Sequence, residues 1–188
     1  TSELLINYLS QFEKQVYEKF PSPKRQLTYL MGRYCAKKAL IQLNGKVMPS
    51  DITIDAGHFG QPVPVHSKIS NTQVSISHTR NGAVALAFPD SLLVGIDLEL
   101  ISRKNENIIR KLLTKSEKSL LNNYVGSSTE KVTTLFWSCK ESLAKALKIG
   151  LFPVIKLYQI KNMEMIDTEN TFKITYKYFP QFETFSFI

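Results

Sequence analysis

The sequence has few of the residues that hold small secreted or metal-bound domains together. Among its 188 residues are only two cysteines, Cys35 and Cys139, and three histidines. The two cysteines form no C-x-x-C motif, so they indicate buried thiols and not a metal or redox site. No stretch approaches the roughly 20 apolar residues that span a bilayer, and the N-terminus lacks the charged and then apolar pattern of a signal peptide. We therefore expect a cytoplasmic protein with no membrane partner.

The chain also has fewer acidic than basic residues. Sixteen Asp and Glu stand against 24 Lys and Arg, which gives a net charge of +8. This excess favours an anionic partner, such as nucleic acid, a phosphate-rich small molecule or an acidic protein. The basic residues are scattered along the chain and form no tail, so the charge alone does not choose among these partners. The hydrophobic content of 43% is enough for a core without disulfides.

Residues 94–101, Val-Gly-Ile-Asp-Leu-Glu-Leu-Ile, carry two acidic side chains in an alternating pattern. Successive side chains of a strand point to opposite faces, so the pattern predicts a strand with Asp97 and Glu99 on one face. Two carboxylates on one face repel each other unless a cation, a proton or a basic side chain lies between them. Alternation alone is more typical of the solvated face of an edge strand, so a metal hypothesis needs support from the rest of the chain.

The first half of the chain predicts two helices followed by a hairpin. Apolar residues recur every three or four positions over residues 3–20 and 24–43, which is typical of helices that bury one side. Alternation over residues 74–78, an Asn-Gly turn and a second apolar run over 83–88 predict the hairpin.

Basic residues are concentrated on the second of these helices. Lys24 and Arg25 lie at its start, and Arg33 and Lys37 are four residues apart, which places them on one face. Such a face could bind phosphate, although basic residues on a helix are more often simply solvated.

The second half predicts helices and then strands. Residues 103–125 and 129–148 have helical periodicity, and the segment from Thr114 to Glu117 has the pattern of a capping box that starts a second short helix. That structural role alone would explain Glu117. Alternating patterns predict three strands, at residues 156–160, 172–178 and 184–188.

The helix predicted over 129–148 adds a third acidic residue to the pair on the acidic segment. Trp137, Glu141 and Lys145 recur at intervals of four on one face, with Lys140 beside them. Carboxylate oxygens suit Mg²⁺, which usually keeps waters and substrate phosphates in its remaining positions. Lysines beside such a metal would neutralise charge on a pyrophosphate during displacement. Together these parts favour phosphoryl transfer.

These two segments also resemble a known family. Val-Gly-Ile-Asp-Leu-Glu at 94–99, followed by Phe-Trp-Ser-Cys-Lys-Glu-Ser-Leu-Ala-Lys at 136–145, is similar to the paired signature of the 4′-phosphopantetheinyl transferases. Further similarities run from about residue 24 to residue 150, at Lys24-Arg25, Gly32-Arg33, Gly60-Gln61-Pro62 and residues 74–78. The resemblance implies transfer of the phosphopantetheine arm of coenzyme A to a serine of an apo carrier protein, with release of adenosine 3′,5′-bisphosphate.

The resemblance also implies roles for individual residues. It implies three Mg²⁺ ligands, Asp97, Glu99 and Glu141. It implies three catalytic residues, Glu141, Lys145 and Glu117; our hypothesis is that Glu141 accepts the serine proton directly or through a water, and it could act as base, metal ligand or both. The implied coenzyme A contacts are Arg25, Arg33, Gly60, Pro62, Ser77, His78, Lys140 and Lys145. Gln61 stands where many members carry a charged residue, and the segment before Gly32 is shorter than in the larger surfactin-type members.

For the fold, the family implies an α+β protein of two similar lobes related by a pseudo-twofold axis. Each lobe would be a helix packed on a small antiparallel sheet, with an N-terminal lobe over residues 1–93 and a C-terminal lobe over 94–188. Because one chain carries both lobes, we expect a monomer. The implied partners are coenzyme A and an acidic acyl, peptidyl or polyketide carrier protein, without nucleic acid.

Two other functions fit parts of the same pattern. A basic nucleic-acid or polyphosphate-binding domain would spread its phosphate contacts over a face with exposed aromatic residues and would not need three converging carboxylates. A metal-dependent phosphohydrolase would use water in place of the carrier serine.

Overall fold

The computed structural model describes residues 6–124, 128–151, 154–167 and 171–188. The chain forms two compact units. Unit 1 comprises Thr1–Leu98 and Lys145–Lys148, and unit 2 comprises Glu99–Ala144 and Ile149–Ile188. The domain boundary expected at residue 93 stays a prediction.

Unit 1 begins with two helices, α1 (Gln11–Glu18) and α2 (Pro23–Asn44). The prediction of a helix over 24–43 is confirmed. The single helix predicted over 3–20 is interrupted: Ile6 is helical, residues 7–10 are not, and a capping box of Ser10 and Glu13 begins α1 at Gln11. Residues 3–5 of that prediction lie outside the described residues.

Two antiparallel two-stranded sheets follow α2. Strands β1 (Thr53–Ala56) and β2 (Pro62–Val65) form one, and β3 (Thr72–His78) and β4 (Ala83–Pro89) form the other, as the predicted hairpin. A 3₁₀ turn at Pro49–Asp51 precedes β1. The core of unit 1 consists of buried aliphatic residues from α2 and the strand region: Ala36, Leu40, Ile52, Ile54, Ile69 and Val74.

The acidic segment, residues 94–101, is not a strand, so the prediction from its alternation is wrong. It belongs to no helix or sheet ladder. Two side chains in unit 1 bind the main chain of Ile96: its N–H donates to Ser75 Oγ at 3.1 Å, and its carbonyl accepts from Lys145 Nζ at 3.2 Å. An extended segment held in this way keeps the period of a strand without the hydrogen-bond ladder.

Unit 2 begins with helices α3 (Arg103–Leu112) and α4 (Lys115–Asn123) and continues with the long helix α5 (Thr129–Leu147), of which Lys145 onward belongs to unit 1. The capping box predicted at Thr114 and Glu117 is confirmed as the start of α4. The end of the helix predicted at residue 125 lies outside the described residues.

A three-stranded antiparallel sheet completes unit 2, with β6 (Thr171–Tyr176) between β5 (Ile160–Met165) and β7 (Glu183–Phe187). The strands predicted near 172–178 and 184–188 are confirmed. The strand predicted over 156–160 is wrong for most of its length: Tyr158 donates its N–H to the Ile155 carbonyl in a turn, and β5 begins only at Ile160.

The α+β class with small antiparallel sheets is thus confirmed, while the pseudo-twofold relation between lobes stays a prediction. Among the residues that the structure describes, no helix is both long and apolar enough to cross a membrane.

Candidate active site

Asp97 is a buried carboxylate of the acidic segment. Its side chain is 4% exposed. Oδ1 accepts hydrogen bonds from Ser77 Oγ at 2.9 Å and from Lys145 Nζ at 2.7 Å. Oδ2 is buried and has no hydrogen-bond partner among the described residues. A buried acceptor without a partner is costly, so this oxygen is well suited to a cation.

Strand β3 explains how Asp97 is held. Side chains two residues apart on a strand share a face, so Ser75 and Ser77 point the same way. Both are buried. Ser75 Oγ accepts from the Ile96 N–H, and Ser77 Oγ donates to Asp97. One pair of hydroxyls therefore fixes both the backbone and the carboxylate of the acidic segment.

Glu99 is held by a residue for which we predicted no role in the site. Trp137 Nε1 on α5 donates to Glu99 Oε1 at 3.0 Å, within unit 2. Beside this contact lies a cavity of about 210 Å³ whose lining includes Leu100, Ile109 and Leu112. The interval of four residues between Trp137 and Glu141 was the signal available in the sequence, but it indicated only a shared face.

Glu117 and Lys140 form a buried ion pair in unit 2, with Nζ 2.7 Å from Oε1. Neither side chain is more than 1% exposed. Glu117 also accepts from the backbone N–H groups of Thr114 at 2.8 Å and Ile160 at 2.9 Å. The structure therefore places both residues inside unit 2, where Glu117 has the Lys140 ammonium, two backbone N–H groups and the Thr114 hydroxyl, at 2.9 Å, as partners.

Glu141 follows Lys140 on α5 and is half-buried. Burial, and secondarily the negative charge of Glu141, raise the pKa of Tyr158 above its ordinary value. Tyr158 donates its hydroxyl to the Gly150 carbonyl at 2.8 Å, so in its neutral form it keeps that hydrogen bond.

The basic residues predicted for the 3′-phosphate lie in unit 1. Arg25 and His78 are exposed. Arg33 is 21% exposed; its Nε lies 3.4 Å from Glu13 Oε1, and its guanidinium lies 4.5 Å from the centre of the Tyr29 ring. A Cβ added to the neighbouring Gly32 would lie 3.8 Å from His78 Cδ2, so α2 passes close to the end of β3 at this point.

The Gly60-Gln61-Pro62 turn joins β1 to β2. Gly60 has φ +77°, which suits glycine, and Pro62 is the first residue of β2. Gln61 folds back within the turn: its Oε1 accepts from the Phe59 N–H at 3.0 Å, and its side chain fills the space where a Cβ on Gly57 would stand. The glutamine thus has a structural role in this chain.

The structure gathers some predicted site residues and not others. Ser77, Asp97 and Lys145 meet in unit 1, and Glu117 meets Lys140 in unit 2. Within the described ranges, no three His, Cys, Asp or Glu side chains form a group that could hold a metal ion. The ligand set Asp97, Glu99 and Glu141 therefore stays a prediction.

Comparison with known proteins places this arrangement in a family. Residues 93–186 match the family described as the 4′-phosphopantetheinyl transferase superfamily. The holo-[acyl-carrier-protein] synthase of Petrotoga mobilis (strain DSM 10674 / SJ95) is 32% identical over 90 residues, which cover 42% of this chain and 76% of that protein. The enzyme of the same name from Geobacillus sp. (strain WCH70) is 36% identical over 83 residues, covering 41% of this chain and 69% of that protein. The resemblance inferred from the motifs is confirmed, and the chain belongs to the 4′-phosphopantetheinyl transferase superfamily.

Proposed function

We propose that this enzyme transfers the 4′-phosphopantetheine group of coenzyme A to a serine of an apo acyl or peptidyl carrier protein, in a Mg²⁺-dependent reaction. The observation that carries the proposal is Asp97, a buried carboxylate with one oxygen held by Ser77 and Lys145 and the other without a partner among the described residues. The names of the relatives from Petrotoga mobilis and Geobacillus support the carrier protein as acceptor.

In the proposed reaction, the carrier serine oxygen forms a bond to the phosphorus that bears the pantetheine arm. The bond between that phosphorus and the bridging pyrophosphate oxygen breaks, and adenosine 3′,5′-bisphosphate leaves with the electron pair. The serine proton passes to Glu141, directly or through a water. A half-buried carboxylate on a rigid helix is suited to this role, because its direction is set by the helix.

Asp97, Glu99 and Glu141 would hold the metal. All three offer only carboxylate oxygens, the donors that Mg²⁺ prefers, and the fit rests on the unpartnered Asp97 Oδ2. When bound, Mg²⁺ supplies positive charge that stabilises the pyrophosphate during displacement. Ser77 and Trp137 would orient two of the ligands, since each donates a hydrogen bond to one of them.

Lys145 would donate a hydrogen bond to the pyrophosphate of coenzyme A. Its ammonium group has three donors, of which two reach Asp97 Oδ1 and the Ile96 carbonyl. The third is then available to a phosphate oxygen, and the contacts on the acidic segment keep the side chain in place. Arg25, Arg33 and His78 would bind the 3′-phosphate, with the Gly60-Gln61-Pro62 turn on the adenine side.

The proposed carrier is acidic, and α3 and α4 offer it a basic surface. Both helices are rich in basic residues: Arg103, Lys104, Arg110, Lys111, Lys115 and Lys118. Arg110, Lys111 and Lys118, with Asn107, line a surface cavity of about 430 Å³. Opposite charge on the partner would speed encounter more than it would tighten the final complex. We further propose that the enzyme acts as a monomer in the cytoplasm and binds no nucleic acid.

The test is direct. The enzyme is incubated with coenzyme A, Mg²⁺ and a panel of apo acyl, peptidyl and aryl carrier proteins, and each carrier is weighed by mass spectrometry. We expect at least one carrier to gain the mass of one phosphopantetheine arm, with no gain when its acceptor serine is replaced by alanine. Absence of transfer to every carrier, or hydrolysis of coenzyme A at the same rate without a carrier, would overturn the proposal.

A further inference from the structure

Among the described residues outside the acidic segment, each unit has one fully buried glutamate–lysine pair. In unit 1 the pair is Glu13 with Lys37, and both side chains are wholly buried. Glu13 accepts from the backbone N–H groups of Ser10 at 2.9 Å and Ile54 at 3.0 Å. One carboxylate therefore joins the cap of α1, the middle of α2 and strand β1.

Unit 2 repeats this arrangement with different residues. Glu117 accepts from the backbone N–H groups of Thr114 and Ile160 and pairs with Lys140. The carboxylate joins the cap of α4, the middle of α5 and strand β5. The same elements occur in the same order in both units: a capping box, a lysine on the following long helix, and an isoleucine N–H of the first strand after it.

The two arrangements differ in the residue that follows the lysine. In unit 2 Lys140 precedes Glu141, the proposed base, whereas in unit 1 Lys37 precedes Lys38, an exposed residue. Because a glutamate–lysine pair also occurs in unit 1, where no acidic residue follows the lysine, a role in folding is enough to explain the pair. Such a pair need not contact coenzyme A or the carrier serine.

We propose that Glu117 and Lys140 are positioning residues: they fix α5 on β5 and so set the direction of Glu141, and neither touches the substrates. This inference rests on the proposed function, and it revises the expectation from the family that Glu117 is catalytic and that Lys140 binds coenzyme A. A second contact also holds α5 on the sheet: Tyr176 on β6 donates its hydroxyl to the Cys139 carbonyl at 2.8 Å.

The packing indicates which substitution to make. Replacing Glu117 would leave the Lys140 ammonium buried without a counter-ion, which would lower the stability of the fold strongly. Replacing Lys140 by methionine keeps the volume and leaves the Glu117 carboxylate with its hydrogen bonds from Thr114 and Ile160, which favour the ionised form. Lys140→Met is therefore the informative variant, and Lys37→Met is its matched control in unit 1.

The experiment measures kcat, the KM for coenzyme A and the melting temperature of both variants with a carrier that the wild-type enzyme modifies. We expect both to melt several degrees lower. At a temperature where both are folded, Lys140→Met should lower kcat about 10- to 100-fold with the KM for coenzyme A within about twofold of wild type, since misplacement of a reacting group affects the chemical step. Lys37→Met should leave kcat within about twofold.

Other outcomes overturn the inference in identifiable ways. A KM for coenzyme A raised tenfold in Lys140→Met, with an unchanged melting temperature, would mean that Lys140 binds the substrate. A lower melting temperature with unchanged kcat would mean that the pair is only structural. An inactive wild-type enzyme would instead refute the proposed function and is seen before any variant is made.

Two more variants keep the test decisive if Lys140→Met does not fold. Lys140→Gln retains a donor toward Glu117 and should fold, with a kcat and a melting temperature close to those of the wild type. For Glu117→Gln, a positioning role predicts a lower plateau in the pH profile of kcat with its shape preserved. Loss of the acidic limb of that profile would make Glu117 the base.

Discussion

Replacement of Ser77 by alanine separates two roles that this residue could have. The Ser77 hydroxyl donates to Asp97 Oδ1 at 2.9 Å, and both side chains are buried. A hydrogen bond to a charged group contributes about 1.5 to 3 kcal/mol, so the free energy of unfolding should fall by about that amount. Because Ser77 orients a proposed metal ligand, activity at low Mg²⁺ should fall about 10- to 100-fold.

The assay is a Mg²⁺ titration of initial transfer rates at saturating coenzyme A. Ser77→Ala should raise the Mg²⁺ concentration at half-maximal rate and recover much of its activity when Mg²⁺ is abundant. Ser75→Ala is the matched control, since it removes a buried hydroxyl from the same strand that contacts the Ile96 N–H and not the carboxylate. An unchanged Mg²⁺ dependence with a raised KM for coenzyme A would refute the reasoning and make Ser77 a coenzyme A contact.

Three further predictions concern other residues of the two units. His78→Ala should raise the KM for coenzyme A but not that for dephospho-coenzyme A, as measured by steady-state kinetics with both; equal effects would remove His78 from the 3′-phosphate. Trp137→Phe keeps one aromatic ring but loses the N–H donated to Glu99, so transfer at low Mg²⁺ should drop about 10-fold; a rate equal to wild type would show that this hydrogen bond is dispensable. Burial raises the pKa of Tyr176 well above its ordinary value. The unfolded chain therefore loses this proton at lower pH than the folded one, and stability should fall as pH rises above about 10. Urea unfolding of Tyr176→Phe should show a shallower alkaline loss than wild type; parallel curves would contradict this.

The two acids of the acidic segment could be singled out from the sequence, but the structure of the segment could not be predicted. Its alternation is that of a strand, and the two acids with the helix bearing Glu141 and Lys145 pointed to phosphoryl transfer. The hydrogen-bond partners of the Ile96 backbone are side chains, Ser75 Oγ and Lys145 Nζ. A hydrophobic period records which way side chains point and carries no information on which group satisfies the main chain.

Capping boxes show a similar limit. The box at Thr114 and Glu117 was predicted because it interrupts two apolar segments. The equivalent box at Ser10 and Glu13 has the corresponding S-x-x-E pattern, but continuous apolar periodicity across it predicted one longer helix. For Lys37, helical periodicity indicated a solvated cation; its buried partner Glu13 is 24 residues away in sequence, beyond any local pattern.

The repeat of these pairs in both units was also invisible in the sequence, where no fixed period is found. Only a few residues carry it, a serine or threonine, a glutamate, a lysine and an isoleucine N–H, and the last contributes through its backbone. Side-chain identity is free at a position that acts through its main chain, so a comparison of residue types does not detect it.

Asp97 Oδ2, which has no partner among the described residues, is proposed to bind a divalent cation, and a metal titration tests this most directly. Mn²⁺, followed by electron paramagnetic resonance in the presence of coenzyme A, replaces Mg²⁺ as a visible probe. The account predicts one bound ion in the wild-type enzyme and at least tenfold weaker binding in Asp97→Asn, in which an amide replaces the carboxylate at nearly the same volume. Equal Mn²⁺ binding by the two proteins would contradict it.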